Sequence, residues 1–466
     1  MANCTALPAF VRTRHVYRLA LLGGVVLGCL VADFSVALAQ PIHFGSADDP
    51  DEQIQEVWWR RESSLYAMGG VSLIASQWRG VGHVSAHIVR RSFTARLEGS
   101  FRAGVLGTYD PDTDEAYDLL RLVDFVRYEP PRTARFHLRV GRIERMRLGF
   151  GHVVNFFKST VAWDERTIGT EIAWATDAME ISGFTDNVLL DGATAGRIAL
   201  NPLSFTRSRR TNSLRLGFSY FTDLAPHDPV TPRLEAYNAD AQFDLFTSGD
   251  ISFSPFASYA WYPDFGNGLA FGADIYSNEF LDLLTFRLRM GVFYNSRQFI
   301  PGYVGTFYTV NNLQARIINS DENADSLGGA PLEGVALSES AGANDLLFEL
   351  HLLSDDSFEF WYSFRRHYGA QRLSELHFRA YLKAAPRLRL EVGIDRGGLS
   401  SFFTIFSDIN DQSALVFGTD YQITPPFFLF LRALYSYERV DNDDRHAQRY
   451  LVQRRFEPMA GIRLRF

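Results

Sequence analysis

Clusters of acidic side chains are the first places in this 466-residue chain where chemistry is conceivable. Asp110, Asp112 and Asp114 stand at alternate positions, an arrangement that suits a hard cation such as calcium. Glu115, however, occupies the turn position at which a helix–loop–helix calcium site needs glycine. Residues 441–444 form a similar acidic cluster. Solvated surface loops are the simpler explanation of both clusters, with calcium as the alternative, and we predict no metal and no cofactor.

A second candidate for chemistry is a carboxylate close to a histidine near the end of the chain. Asp444 stands two residues before His446, a spacing that resembles the Asp-His arrangement of outer-membrane omptin proteases. The resemblance covers this one spacing, and the chain is far longer than that family. The sequence also lacks a Gly-x-Ser-x-Gly nucleophile elbow and a His-Glu-x-x-His metal helix. We therefore predict that the protein is not an enzyme, with a barrel-embedded hydrolase as a minor alternative.

A third group of polar residues follows two closely spaced glycines. The segment from Gly149 to Arg166 breaks the strand-like pattern around it, and its glycines permit tight turns, so an inward-folded loop explains the break. Gly149 and Gly151 do not form a phosphate loop, because a third glycine and the βαβ context are missing. The residues that we predict to line a constriction are His152, Asn155, Asp164, Glu165 and Arg166.

The elements around these candidates are predicted to be β-strands, because apolar and polar residues alternate with a period of two. From Phe93 to Ala103 every second residue is apolar or glycine, and the residues between are polar or charged. Residues 135–140 and 387–395 show the same division. One face of such a strand suits lipid and the other suits a polar lumen. The predicted pore-lining residues are Arg96, Glu98, Arg102, Arg135, His137, Arg139, Arg287, Arg289, Arg387, Arg389 and Glu391.

The last residues of the chain indicate the environment of these strands. Leu464 and Phe466 share one face of a strand that ends the chain, opposite two arginines. Residues 459–466 resemble the terminal-strand signal of Gram-negative outer-membrane β-barrels, although Met459 stands where that family usually has a polar residue. The resemblance implies a porin-like transmembrane barrel that the barrel-assembly machinery recognises through Gly461, Leu464 and Phe466.

The other end of the chain has the features of a secretory signal. A basic region at Arg12–Arg18 precedes an apolar stretch from Leu19 to Ala32, and Ala37-Leu38-Ala39 fits a cleavage site. The apolar stretch is shorter than the roughly 18–20 residues of a membrane anchor. A lipoprotein signal at Cys29 is a further alternative that we disfavour. Cleavage after Ala39 is the prediction, and it removes both cysteines of the chain.

Composition agrees with an exported barrel. Aromatic residues make up 14% of the chain, yet no segment after residue 39 is apolar for long enough to form a spanning helix. A membrane strand needs only about 9–11 residues with one apolar face, so a mean hydropathy of −0.10 is compatible with membrane residence. The formal net charge of −8, without basic clusters, argues against nucleic acid as a partner.

The spacing of turns predicts the topology. Counted back from Phe466, seven candidate strands are separated alternately by short links, such as 424–426 and 384–386, and by longer ones, such as 438–451. Short turns on one side and long loops on the other are typical of outer-membrane barrels. Fourteen further candidates, the last at 303–316, make the total odd, whereas bacterial single-chain barrels normally have an even number. We predict an all-β, transmembrane antiparallel β-barrel of about 18 strands, within a range of 16 to 20.

Two stretches lie outside the predicted wall. Residues 40–62 are acidic and then aromatic, and we predict a periplasmic tail there, with a short plug that enters the barrel as the alternative. Residues 317–344 form a long loop, either an extracellular flap or a pore-narrowing insert. The predicted organisation is a signal peptide at 1–39, this N-terminal segment at 40–62 and an outer-membrane barrel at 63–466.

These features predict transport across the outer membrane. A barrel of this size is wide enough for a water-filled lumen, and mixed charges on its inner face suit small polar solutes. We therefore predict a porin-like channel in outer-membrane lipid, with the oligomeric state left open. A structural barrel plugged by paired charges is the main alternative. A gated barrel that resembles the fatty-acid transporter family needs a greasier lumen, and a TonB-dependent receptor needs a larger plug than residues 40–62.

Overall fold

Strands account for most of the described chain in this computed structural model. The α-helix α1 spans Asp118–Arg121, residues 308–310 also have a helical backbone, and 3-10 turns span Asp110–Asp112 and Pro202–Phe205. No helix in these ranges is long and apolar enough to cross a membrane. The residues that the structure describes are 63–90, 92–105, 107–129, 136–176, 178–205, 214–224, 234–248, 251–263, 265–280, 284–310, 337, 340–354, 357–369, 374–399, 412–441 and 448–466.

All strands of the described chain belong to a single antiparallel sheet. They are β1 Ser64–Ile74, β2 Gln77–Arg90, β3 Phe93–Gly104, β4 Gly107–Thr108, β5 Val123–Tyr128, β6 Phe136–Gly141, β7 Gly169–Ala175, β8 Met179–Thr185, β9 Ala193–Leu200, β10 Leu214–Asp223, β11 Glu235–Phe243, β12 Phe246–Ser248, β13 Ile251–Trp261, β14 Asn267–Phe280, β15 Leu284–Asn295, β16 Asn344–Ser354, β17 Phe358–His367, β18 Ser374–Ala385, β19 Leu388–Leu399, β20 Ser413–Thr424, β21 Phe427–Asp441 and β22 Gln448–Arg465. β4 pairs only with β3, and β12 continues β11 along β13.

The first and last strands close the sheet into a barrel. β1 pairs with β2 on one side and with β22 on the other, along a seam from Ser64 opposite Arg465 to Ile74 opposite Arg455. Within the described residues the closed ring has 20 strands, an even number as antiparallel closure requires. The predicted fold class is confirmed, with the strand number at the upper end of the predicted range.

Side chains alternate between an apolar exterior and a charged interior. On β3, Leu97 and Phe101 point outward and Phe101 is 52% exposed, whereas Arg102 points inward and is 4% exposed. An exterior of exposed large apolar side chains suits lipid and not water, so the chain folds as a transmembrane β-barrel. Further members of this exterior are Leu65, Val84, Ile172, Ile198, Phe218, Phe271, Met290, Phe348, Phe417, Leu429 and Leu464.

The two rims of the barrel carry connections of different length. We call the rim at which β1 begins and β22 ends the turn rim, and the opposite one the loop rim. Short links at the turn rim join β16 to β17, β18 to β19 and β20 to β21. The long connections at residues 105–122, 142–168 and 296–343 all leave the loop rim. The predicted difference between short turns and long loops therefore holds along most of the ring.

Two connections enter the barrel from the loop rim. We call residues 142–168 the inner loop and residues 296–310 the inner segment. The Asn155 N–H donates to the Val304 carbonyl at 3.1 Å, and the Val304 N–H donates to the Val153 carbonyl at 3.2 Å. The inner loop also reaches the wall, because the Tyr437 N–H on β21 donates to the Val161 carbonyl at 3.0 Å. The two connections therefore form one folded unit attached to the wall.

The candidate strand at 303–316 is wrong over its described part. Val304, Thr306 and Tyr308 are buried inside the barrel, and the only β-bridge among residues 303–310 joins Val304 to Val154. The apolar pattern that predicted a strand here arises because these residues pack in the interior of the barrel. Removing this candidate from the predicted set leaves an even number of wall strands.

The assignment of faces makes a direct prediction for neighbouring residues of β3. Phe101→Asp places a charge toward lipid and is expected to destabilise the barrel by about 2 kcal/mol or more. Ser100→Asp places the same charge in the interior, beside polar groups, and is expected to be tolerated. The measurement is the fraction of each purified variant that shows heat-modifiable gel migration after refolding in lipid vesicles. Equal folding of the two variants contradicts the assigned faces.

Candidate functional site: the lumen cavity

The inner loop turns sharply at its glycines. Gly149 and Gly151 have φ angles of +58° and +76°, in the left-handed region that favours glycine. A Cβ atom on Gly151 would lie 2.5 Å from the side-chain oxygen of Asn155, so this turn has no room for a larger residue. Reciprocal hydrogen bonds of 2.9 and 3.0 Å between the Met146 and Phe157 backbones then close the loop on itself.

One side of the inner loop packs into an apolar core inside the barrel. Phe157 and Val154 are almost fully buried there, together with Tyr262 and Phe299. His152 belongs to this core, because its ring contacts Phe299 edge-on at 5.3 Å. Burial lowers the pKa of His152 to about 3, so the imidazole is neutral at physiological pH. This part of the lumen is filled.

The other part of the interior is a cavity of about 270 Å³, which we call the lumen cavity. It extends from Tyr66 and Asp420, close to the turn rim, to Asp118 in α1 at the loop rim. Strands β1–β3 and β18–β22 and the polar side of the inner loop line it. Its charged lining residues are Arg96, Glu98, Arg102, Asp112, Asp118, Arg121, Arg142, Glu144, Lys158, Asp164, Arg166, Arg379, Arg389, Glu391, Asp420, Arg432 and Glu457.

Trp163 of the inner loop forms an aromatic face of this cavity. The guanidinium carbons of Arg432, Arg166 and Arg142 lie 4.1, 5.0 and 5.7 Å from the centre of its indole ring. These are cation–π distances, and each contact contributes about 0.5–2 kcal/mol depending on its desolvation. In the described part of the chain no carboxylate lies within ion-pair distance of Arg432. Its positive charge therefore faces the cavity.

Asp164, next to Trp163, fastens the inner loop to the wall. Its carboxylate accepts hydrogen bonds from Arg455 at 2.6 Å, from the Tyr109 hydroxyl at 2.7 Å and from the Gln453 amide at 3.1 Å. Burial alone would raise the pKa of Asp164, but Arg455 and these hydrogen bonds lower it to about 2. The carboxylate is therefore charged, and it joins β22 to two loop-rim connections.

Further ion pairs hold the inner loop on other sides of the ring. Arg147 donates to Glu349 of β16 at 2.8 Å, and the Arg142 Nε atom lies 2.9 Å from Asp124 of β5. Buried ion pairs of this kind fix the position of the loop more than they stabilise the fold, because the cost of desolvation offsets most of their attraction. The inner loop is thereby fixed across the lumen and not only at its ends.

The predicted pore-lining residues divide into three groups. Arg139 and Arg289 are buried in ion pairs with Glu171 and Asp274, respectively, away from the cavity. A second group does not line the cavity either: Arg287 lies 3.6 Å from Asp274, His137 is buried, and Arg387 is exposed at the turn rim. Arg135 falls outside the described residues. Those that line the lumen cavity are Arg96, Glu98, Arg102, Arg389 and Glu391.

The predicted constriction residues are also separated by the fold. Asp164 and Arg166 line the cavity, and Glu165 lies beside it, 3.6 Å from Arg121. His152 is in the apolar core, and Asn155 is buried and accepts a hydrogen bond from Arg147 at 2.7 Å. The structure therefore brings the last three residues of the predicted set together and places the first two elsewhere.

Sequence reasoning missed Arg432 and the role of Trp163. Arg432 shares the inward face of β21 with Phe430 and Leu434, and a single cation between apolar neighbours was the available signal. The contact of Arg432 with Trp163 joins residues far apart in the chain, so no local pattern contains it. Other charged lining residues that were missed are Asp118, Arg121, Arg142, Glu144, Lys158, Arg379, Asp420 and Glu457.

The residues of the predicted terminal assembly signal belong to the seam. Leu464 lies opposite Leu65 and points outward, and Phe466 is exposed at the turn rim. Gly461 faces Met68, where an added Cβ atom would lie 2.4 Å from the Ala67 carbonyl oxygen. Glycine at this position therefore serves the close pairing of β22 with β1.

The acidic cluster at residues 110–115 lies within the described chain. Asp112 is engaged by Arg102 at 2.6 Å, and Asp444 and His446 fall outside the described residues. Within those residues no group of three or more histidine, cysteine, aspartate or glutamate side chains is arranged to hold a metal ion.

Comparison with solved structures finds matches of low sequence identity. No family model matches the sequence, and no curated protein matches it. One match is Wzi of Escherichia coli, described as an outer membrane protein involved in group 1 capsule assembly and as a carbohydrate-binding β-barrel. Its sequence is 10% identical, and the match has a TM-score of 0.34 and covers 92% of this chain and 90% of that chain. OccK2 (OpdF) of Pseudomonas aeruginosa is 9% identical with a TM-score of 0.33, over 87% and 98%. OpdK of the same organism, an outer membrane protein, is 8% identical with a TM-score of 0.30, over 87% and 99%.

The Asp164–Arg455 pair makes a prediction about stability. Asp164→Asn leaves the buried Arg455 guanidinium without its counter-charge and is expected to lower the free energy of unfolding by about 3 kcal/mol. Asp164→Asn combined with Arg455→Met removes both charges and is expected to recover part of the loss. Urea unfolding in lipid vesicles measures the difference. Asp114→Asn, at an exposed carboxylate, is the control and is expected to change nothing.

The same pair predicts acid sensitivity. Because the folded pKa of Asp164 is about 2, below its ordinary value, the stability that its charge contributes is complete above about pH 4 and is lost as the pH falls toward 2. The difference in unfolding free energy between the native chain and Asp164→Asn is therefore expected to shrink over this window. A difference that stays constant down to pH 2 contradicts the assigned role.

Proposed function

We propose that this protein is a porin-like channel through which small polar solutes diffuse. The observation that carries the proposal is the lumen cavity, because it extends from near one rim of the barrel to the other and is lined by charged side chains. Charged linings replace part of the hydration of a polar solute and repel apolar ones. The filled apolar core beside the cavity narrows the path, which limits the size of the solutes.

We place the channel in the outer membrane. The exposed apolar exterior demands lipid around the barrel, and closed barrels are one of the two architectures that satisfy every backbone group there. The predicted signal at 1–39, cleaved after Ala39, and the terminal strand with Gly461, Leu464 and Phe466 support export and recognition by the barrel-assembly machinery. The turn rim then faces the periplasm and the loop rim faces outward.

The balance of charges in the cavity favours polar solutes over a single class of ion. Arginines and carboxylates alternate around it, for example Arg102 between Asp112 at 2.6 Å and Glu457 at 2.8 Å. Arg432 adds a cation that has no described carboxylate within ion-pair distance, on the aromatic face of Trp163. This residue is therefore the best candidate to influence which solutes enter. No step of this proposal requires catalysis or a cofactor.

A plugged structural barrel is the second candidate. The observation that favours it is the loop-rim end of the cavity, where Asp164 and Arg455 join the inner loop to the wall and Tyr109 joins them. If these contacts persist in the membrane, solutes do not pass. Conductance separates the two candidates.

The channel proposal predicts a current with a defined dependence on Arg432. The refolded protein in a planar bilayer is expected to give discrete conductance steps. Arg432→Ala is expected to lower the anion-to-cation permeability ratio by about threefold, since it removes a positive charge from the lining of the path. The measurement is the reversal potential in a salt gradient.

Arg454→Ala is the matched control, because Arg454 is exposed on the outer face of β22 and does not line the cavity. It is expected to leave the reversal potential unchanged. Absence of current above background, for protein whose gel migration shows a folded barrel, rejects the channel and favours the plugged barrel. A shift of equal size in both variants rejects the cavity as the path.

A further inference from the structure

Two opposite charges in the lining of the lumen cavity have no ion-pair partner in the described chain. Glu98 on β3 and Arg432 on β21 both line the cavity. No described cationic side chain lies within ion-pair distance of the Glu98 carboxylate, and no described carboxylate lies within that distance of Arg432. Glu98 is the carboxylate whose charge acts most strongly on Arg432, so the two groups face the same part of the cavity. They are too far apart to pair with each other, because an ion pair needs about 4 Å or less.

The other arginines near Glu98 are engaged elsewhere. Arg96 pairs with Asp124, and the Arg142 Nε atom lies 2.9 Å from the same carboxylate. Arg166 donates to two backbone carbonyl oxygens, at 3.1 and 3.0 Å. The oxygens of Glu98 therefore remain available to a group that enters the cavity.

Trp163 holds Arg432 in a position to donate hydrogen bonds. The guanidinium carbon of Arg432 lies 4.1 Å from the centre of the indole ring, which is a cation–π contact. A guanidinium above a ring keeps its N–H groups, which lie in its own plane, for other acceptors. A carboxylate can accept two of these N–H groups at once, and this is one of the strongest pairings that a guanidinium makes.

A small solute that carries both charges satisfies both groups. A carboxylate alone reaches Arg432 but brings a like charge toward Glu98, and an ammonium alone leaves Arg432 without a counter-charge. A neutral polyol offers only uncharged hydrogen bonds, which are weaker. The volume of the cavity, about 270 Å³, is below the roughly 300–1,000 Å³ of sites for drug-sized ligands, so the solute that fits is small.

We propose that the lumen cavity binds small zwitterions of the α-amino acid type, with the carboxylate on Arg432 and the ammonium on Glu98. The proposal rests on the channel function for its biological role, and it deepens that function by naming a class of solute. Binding itself does not require passage through the barrel, so the site is testable in protein outside a membrane.

Three solutes of similar size and shape test the site. L-Alanine carries both charges, lactate has a hydroxyl in place of the ammonium, and 2-amino-1-propanol has a hydroxymethyl group in place of the carboxylate. Each is titrated into the chain from residue 40, refolded in detergent, and its dissociation constant is measured by saturation-transfer NMR. L-Alanine is expected to bind at least about tenfold more tightly than either of the others, since each of them lacks one charge-assisted interaction.

Two variants assign the charges to their residues. Glu98→Gln is expected to weaken the binding of L-alanine and 2-amino-1-propanol by about tenfold and not to weaken that of lactate. Arg432→Gln is expected to weaken L-alanine and lactate to a similar extent and not to weaken 2-amino-1-propanol. A merely structural role of either residue would change the binding of all three solutes alike.

Asp118→Asn is the matched control. It changes the net charge of the cavity lining by the same amount as Glu98→Gln, but Arg121 already engages the carboxylate of Asp118 at 2.5 Å. It is expected to leave the affinity for L-alanine within about twofold, because screened charges at other levels of the cavity contribute little. Heat-modifiable gel migration confirms that each variant is folded.

Three results overturn the proposal: equal affinities of the native chain for the three solutes, L-alanine binding that Glu98→Gln and Arg432→Gln leave unchanged, or a loss in Asp118→Asn as large as that in Glu98→Gln. The channel stands or falls separately. L-Alanine that binds with the expected charge dependence to a protein without current supports this site and rejects only the channel. A current without selective binding of L-alanine rejects this site and leaves the channel in place.

Discussion

The seam between β1 and β22 is the interaction on which the rest of the structure depends. In lipid, each unpaired backbone group costs several kcal/mol, so an open sheet is not stable there. Pairing Ser64–Ile74 with the end of β22 removes the last two edges of the sheet. Once the sheet is closed, a single layer of β-strands separates lipid from the polar interior. Charged residues such as Arg102 and Arg289 are tolerated there because this wall holds them, with their ion-pair partners, away from lipid.

The inner loop decides what the closed barrel can do. A ring of 20 strands encloses more space than wall side chains fill, and the inner loop divides this space into two parts. Its apolar side, with Val154 and Phe157, packs with the inner segment into a core. Its polar side, with Trp163 and Asp164, bounds the lumen cavity. The function of the protein therefore depends less on the diameter of the wall than on how this loop is held.

Much of the wall was predictable because each strand carries its own signal. The alternation of apolar and polar residues around Phe101 and Arg102 identifies the outer and inner faces of the strand. Counting strands back from Phe466 assigns each turn to one rim of the barrel. The candidate at 303–316 failed because burial inside a barrel selects apolar residues just as lipid does. The cavity was only partly predictable. Local sequence patterns identified Arg102 and Asp164. The contact of Trp163 with Arg432 depends on how the inner loop crosses the lumen, and the periodicity of the sequence contains no information about that crossing.

Cysteine accessibility along β20 tests the central claim most directly, because this strand follows the lumen cavity for most of its length. Single cysteines are introduced into the cysteine-free chain from residue 40, reconstituted in vesicles and treated with a charged, water-soluble thiol reagent. The account predicts reaction at Val416, Gly418 and Asp420, which line the cavity, and protection at Phe417, which faces lipid. Reaction at every position, or protection of the lumen set, contradicts a water-filled cavity inside a lipid-embedded barrel.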